Sequence, residues 1–373
     1  MSLASSLDRH PHAKAVLEGA VPPVGNPSHA YLFHGPAGSG KASVARAFAA
    51  ELLAEGSPDP DNTRARVLRG AHPDLTWVVP TGAAIMRVED IEQPVVGAAS
   101  RTPFEALRRV FVLEGVDTMN DQAANRMLKT LEEPPSFAHL VLLTDRPGDV
   151  LPTIASRCQP VRFDAPAPEV IEATLSSRVD AQTARACARL ALGDGDRALA
   201  LALGEGPALR AAAETYVRGA MTGDLTAAPW TALLQRAKAL GEAAQETVEA
   251  QTKLDAEVLP QRERRRAERE GADAAKRAGR RARTGALDEA LRLSGLWLRD
   301  VAAVADGAQD IVHATDRLQA LRADAQDRDA HRLREGVELV DQTRAALTVN
   351  VPEELALEAL AYRLMALLAA PCR

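Results

Sequence analysis

The rhythm of apolar positions changes near residue 165 of this 373-residue chain. Before that point, short continuous apolar runs alternate with segments of helical period. The runs are "AYLF" (30–33), "DLTWVV" (74–79), "RVFVLE" (109–114) and "HLVLLT" (139–144). Runs of this length, rich in Val and Leu, suit strands buried on both faces, and helical segments between them predict a parallel sheet layered by helices. "KASVARAFAAELLAE" (41–55) and "NDQAANRMLKTLEEPP" (120–135) are two such helices. The second starts at an Asn/Asp cap, ends at a double proline and lines up Ala124, Met127, Leu128 and Leu131 as one stripe.

After "PVRF" (160–163) comes "DAPAPEV", a proline-broken linker. From Pro168 onward the pattern is helical almost to the end. "ALGDGDRALALAL" (191–203) reads as helix, glycine turn, helix. Gln245 to Arg283 is charged and Ala-rich, and reads as a long exposed helix or hairpin with a break near Leu259-Pro260. The expected organisation has three parts: an α/β phosphate-loop domain over 1–165, a small helical lid over 166–207, and an all-α region over 208–373 carrying a charged insertion at about 245–284.

Composition narrows the class. Aromatic residues make up only 3%, so the core must rest on Ala, Leu and Val. No apolar run reaches membrane-spanning length, and "MSLASSLDRHPHAKAVLEG" lacks the basic-then-apolar order of a secretory signal. Cys158, Cys187 and Cys372 are far apart, with neither metal spacing nor a disulfide framework, which fits a reducing cytoplasm. A net charge of −6 argues against a general attraction to nucleic acid. The charge is uneven, since residues 261–283 hold ten Lys/Arg against four Asp/Glu. Acidic residues Glu263, Glu268, Glu270 and Asp273 interrupt that stretch and aromatic residues are missing from it. It therefore reads as a solvated helical arm in preference to a DNA contact.

The chemistry concentrates at "GPAGSGKASVA" (35–45). Gly35, Gly38, Gly40 and Lys41 follow a predicted strand and open a predicted helix, the context in which G-x-x-x-x-G-K cradles phosphates. Lys41 would reach the β- and γ-phosphates. The next residue should offer a hydroxyl to magnesium, but it is Ala42. Ser43 points about 100° round the helix, a poor substitute. At the end of "VFVLEGVD" an ATPase needs a metal-holding Asp and a basic Glu. The chain has Glu114 followed by Gly115, with Asp117 further on. Two defects in one reaction argue against intrinsic ATP hydrolysis.

The stretch 109–158 resembles bacterial clamp-loader subunits of the AAA+ superfamily. "AANRMLKTLEEPP" (123–135) and "SRC" (156–158) after "LPTI" carry the resemblance, with "HAYLFHGPAGSGK" (29–41) and "GAHPDL" (70–75) in support. The resemblance covers about residues 5–205. Ala42 and Glu114-Gly115 make the chain similar to the delta-prime branch of that family, which keeps the fold and lets its own ATP site decay. It implies that Arg157 is a finger acting in trans on a neighbour's ATP, that Thr144 matches the first sensor, and that the motor's second sensor arginine falls on Asp196, beside Arg197. Cys158 reads as a small packing residue. The implied partners are the gamma/tau motor subunit and the delta subunit, with the sliding clamp and primer–template DNA reached through the complex. The C-terminal helices would form its collar. No cofactor is required, residual ATP binding at Gly35–Lys41 stays open, and no zinc is expected, because residues 54–74 lack the family's cysteines. Two rivals remain: a motor-type ATPase holding magnesium through water and Glu114, and a DNA-tethering protein that uses 262–283.

Overall fold

The computed structural model describes residues 3–21, 25–80, 86–257, 261–347 and 351–368. Chain packing divides them into two units. One contains residues 1–167 together with 193–195, the other 168–192 and 196–373.

The first unit is built on five parallel strands: β1 (Ala30–His34), β2 (Leu75–Val78), β3 (Arg109–Leu113), β4 (Ala138–Thr144) and β5 (Gln159–Arg162). Their order is β2-β3-β4-β1-β5. The alternation of side chains along a strand splits the apolar residues between two faces. Tyr31, Phe33, Val110, Val112, Val141 and Leu143 pack with Phe48 and Leu52 of α1 (Lys41–Ala54). On the other face Leu32, Phe111, Leu140 and Leu142 meet Ala123, Ala124 and Met127 of α2 (Asp121–Glu132). The α/β layering expected from the runs is therefore present. The predicted cap is present too, with the Asn120 side chain accepting from the Ala123 amide at 2.8 Å.

One buried histidine makes this sheet sensitive to acid. His139 on β4 is 1% exposed. Its Nδ1 lies 3.0 Å from the Ser28 carbonyl and its Nε2 2.9 Å from the Arg108 guanidinium. Arg108 can only donate, so Nε2 accepts and Nδ1–H donates, the pattern of a neutral ring. Burial, helped by the charges of Arg108 and His29, pushes its pKa down to about 4. The unfolded chain takes up this proton near pH 6.5, so acid favours unfolding between pH 6.5 and 4. The loss across that window should be about 3 kcal/mol. Urea melts at pH 7 and pH 4.5 check it, and His139→Gln should shrink the difference between them.

The second unit is helical: α3 (Pro168–Leu175), α4 (Ala181–Leu190), α5 (Gly195–Ala202, whose first residue belongs to the sheet unit), α6 (Gly206–Thr222), α7 (Trp230–Glu257), α8 (Gln261–Ala305), α9 (Ala330–Leu347) and α10 (Glu353–Leu368). One apolar core runs through it from Ile171 and Cys187 to Trp297, Val340 and Leu364. Of the predicted helix, glycine turn and helix over 191–203, the first helix already ends at Leu190 (α4), 191–194 form the turn and α5 is the second helix. The helices α7 and α8 form an antiparallel hairpin. At their crossing a Cβ on Gly241 or on Gly279 would come 2.9 Å from the other's carbonyl oxygen, so only glycine permits the approach. At 1.5 Å per residue α8 is about 68 Å long. The break expected near Leu259-Pro260 lies outside the described residues, as do Cys372 and the side chains of Glu263 and Glu270. No helix among the described residues is long and apolar enough to cross a membrane.

Candidate functional site

The phosphate-type loop joins β1 to α1. Three of its glycines take backbone angles that other residues avoid, with φ of 154° at Gly35, 67° at Gly38 and 86° at Gly40. β1 and β4 are paired so that His34 lies opposite Thr144. The Gly35 amide donates to the Thr144 carbonyl at 3.3 Å. Gly35, Gly38, Gly40, Lys41 and Thr144 thus meet at one end of the sheet.

Their polar groups are turned inward. Lys41 Nζ donates to the carbonyls of Gly35 (2.8 Å) and Pro36 (2.7 Å), and lies 3.3 Å from Ser39 Oγ. It also pairs with Asp145 at 2.7 Å, and its side chain is only 7% exposed. The Thr144 hydroxyl donates to Asp117 at 2.7 Å, and the other Asp117 oxygen is held by Arg146 at 2.8 Å. Glu114 accepts from the Trp77 indole at 2.7 Å. The carboxylate expected to face a nucleotide is therefore tied to β2.

Asp194 completes the arrangement. It sits in the turn Gly193–Gly195, which packs with the sheet unit. A Cβ on Gly38 would lie 1.9 Å from Asp194 Oδ1 and 2.7 Å from its Cα. Gly193 approaches Ala165 with similar closeness, a Cβ there falling 2.8 Å from the Ala165 Cβ.

Arg157 stands apart from the loop. It follows the short helix Pro152–Ala155. Its guanidinium donates to Glu132 at 2.5 Å and to the Thr153 carbonyl at 2.8 Å, with Ser156 Oγ at 3.4 Å. Its side chain is 34% exposed. The two signature segments "LKTLEEPP" and "SRC" are therefore joined by one ion pair. Cys158 beside it is buried, which pushes the thiol up to about 12 and leaves no thiolate at neutral pH. Arg197 is buried on Glu289, with Nε 2.9 Å from both carboxylate oxygens, inside the helical unit.

The "HPD" segment has a structural job. Asp74 is fully buried and accepts from the amides of Phe104 (2.6 Å), Glu105 (2.9 Å) and Ala106 (3.0 Å). Burial works to raise its pKa, but these amides outweigh it and hold the carboxyl below its ordinary value.

Sequence reasoning missed Asp145, Asp194, Trp77 and Glu132. Asp145 had a signal, since it directly follows Thr144, the residue expected to match the first sensor. The approach of Asp194 to Gly38 spans 156 positions and left none.

Comparison with known proteins bears on residues 11–167. The profile of the family described as "DNA polymerase III, delta subunit" matches that range. The DNA polymerase III subunit delta-prime of Bacillus subtilis is 38% identical over 149 residues, 39% of this chain and 45% of that protein. Its counterpart from Pseudomonas aeruginosa is 39% identical over 137 residues, 35% of this chain and 42% of that one.

Residues 11–167 are similar to delta-prime subunits of DNA polymerase III.

The subunit tau of Bacillus subtilis is also similar, at 34% identity over 161 residues, 42% of this chain and 28% of tau. The matched region is thus similar to tau as well as to the delta-prime subunits. Ala42 and the Glu114-Gly115 pair lie within this matched region. The chain spans less than half the length of the two delta-prime relatives.

Proposed function

We propose that this chain serves as a delta-prime-type stator of a DNA polymerase III clamp loader. It holds no working ATP site of its own and supplies Arg157 to the nucleotide of a neighbouring gamma/tau subunit. One contrast carries the reading. Lys41 is buried and fully engaged by the chain's own acceptors, while Arg157 is partly exposed on a surface ion pair. Such a pair is worth about 0–1 kcal/mol, so a γ-phosphate can take the guanidinium from Glu132 at small cost. An arginine suits the role because its charge is permanent and its fork matches phosphate oxygens. The helical unit would build the collar, together with gamma/tau and a delta subunit. The sliding clamp and primer–template DNA would be met through that complex. No zinc or other cofactor is needed for this role.

Turnover and assembly test it together. The purified chain alone should show no ATP hydrolysis, should co-elute with the gamma/tau and delta subunits in size-exclusion chromatography, and should raise their hydrolysis in the presence of clamp and primed DNA. Motor-like turnover by the chain alone would support the ATPase rival. Failure to co-elute would remove the stator reading.

A further inference from the structure

The glycine loop at the start of α1 keeps the shape of an anion cradle. Backbone amides at a helix N-terminus and a left-handed glycine bend favour negative charge whatever its source. In this chain a negative group already lies there. The Asp194 side chain rests on Gly38, closely enough that any Cβ at position 38 would overlap both its carboxylate and its backbone. The turn that delivers it bends sharply, with Leu192 at φ 54° and Gly193 at φ 89°. A leucine in the left-handed region is uncommon. It is accepted here on the way into a turn seated between Gly38 and Ala165. A second carboxylate, Asp145, pairs with Lys41 at 2.7 Å. Both places that a triphosphate would need, the glycine bend and the lysine ammonium, are thus taken by acidic side chains of the same unit.

We infer that the loop's ligand is the chain itself: Asp194 stands in for a phosphate and, with Asp145, closes the loop to nucleotides. The cradle is thereby converted into a socket for the 193–195 turn. An entering polyphosphate must displace that turn and overcome two like charges. Ala42 explains why magnesium would not be held. The socket explains why the anion itself is refused. The inference does not depend on the partner assignment, since it concerns only contacts within the sheet unit.

The test is calorimetric titration of the full chain with ATP, ADP and inorganic pyrophosphate, without and with magnesium. Wild type should show no saturable binding at millimolar ligand. D194G removes charge and bulk, D194N removes charge and keeps bulk, and D194G/D145N removes both carboxylates. Affinity for pyrophosphate should rise at least about tenfold with D194N, the scale of removing one like charge at contact distance from a protein surface. It should rise further in the double variant. Circular dichroism melts establish that each variant is folded, and D194N retains the turn if D194G does not fold. Amide hydrogen exchange over residues 38–42 gives a second reading: slow in wild type with or without ATP, and faster in D194G until ligand is added. Micromolar binding of ATP by wild type would overturn the inference. So would folded D194N and D194G/D145N chains that bind pyrophosphate no better than wild type.

Discussion

Under the proposed function, replacing Arg157 with alanine should abolish hydrolysis at the one motor site that receives it, while the complex still assembles. Fingers supplied in trans contribute about 10³–10⁵ in rate, because a guanidinium on the γ-phosphate offsets charge that builds up in the transition state. The Arg157 guanidinium hydrogen-bonds Glu132, Thr153 and Ser156, all exposed at the surface, so its removal breaks no hydrogen bond of the core. The expected result is a fall of about 10³-fold or more at that site, with unchanged elution of the assembled complex. Phosphate release from a complex in which only the neighbouring motor loop is competent reads it directly. Arg157→Lys should recover little, since a lysine keeps the charge and loses the fork. Glu132→Gln should stay within a few-fold of wild type, because under this proposal Glu132 only parks the arginine. An Arg157→Ala complex that hydrolyses at the wild-type rate would sink the finger.

A large loss of stability should follow Asp74→Ala. This carboxylate is fully buried and is the shared acceptor for three consecutive amides, those of Phe104, Glu105 and Ala106, just ahead of β3. Hydrogen bonds to a charged group contribute about 1.5–3 kcal/mol each, and removing the acceptor leaves the amides without it. A loss of about 3–4 kcal/mol for the sheet unit is expected, less than the sum because water can re-enter. Trp77 on β2 reports on this unit, while Trp230 and Trp297 lie in the helical one. Urea titration followed by Trp77 fluorescence, with the other two changed to phenylalanine, isolates the effect. A shift worth less than about 1 kcal/mol would mean that the 104–106 turn is held by its other contacts.

The sheet unit was legible because its signals are local. Strand runs, the Asn120 cap and the glycine bend each lie within a few consecutive residues, and each matches its element. The stripe on α2 was legible as well, with Leu128 only partly buried at its margin. The interior of the site was not legible for the opposite reason. Asp194 meets Gly38, and Trp77 meets Glu114, across long separations that no periodicity encodes. A carboxylate approaching a phosphate loop leaves no mark in sequence beyond one more aspartate in a glycine-rich turn. The hairpin was anticipated in outline. The Gly241–Gly279 crossing that sets its closest approach depends on the register between two helices, which composition does not give.

The strand order carries a consequence for synthesis. β1 is made first, yet in the finished sheet it lies between β4 and β5. Its partners end at Thr144 and Arg162, more than a hundred residues later. At about 5–20 residues per second, "AYLF" waits roughly 6–25 s before its second neighbour exists. Until β4 is made this apolar strand has two open edges, and until β5 follows it has one, the arrangement that invites pairing with another chain. The species most at risk of aggregation is therefore the half-made polypeptide on the ribosome, and its yield in a cell should depend on how long chaperones shelter the first 160 or so residues.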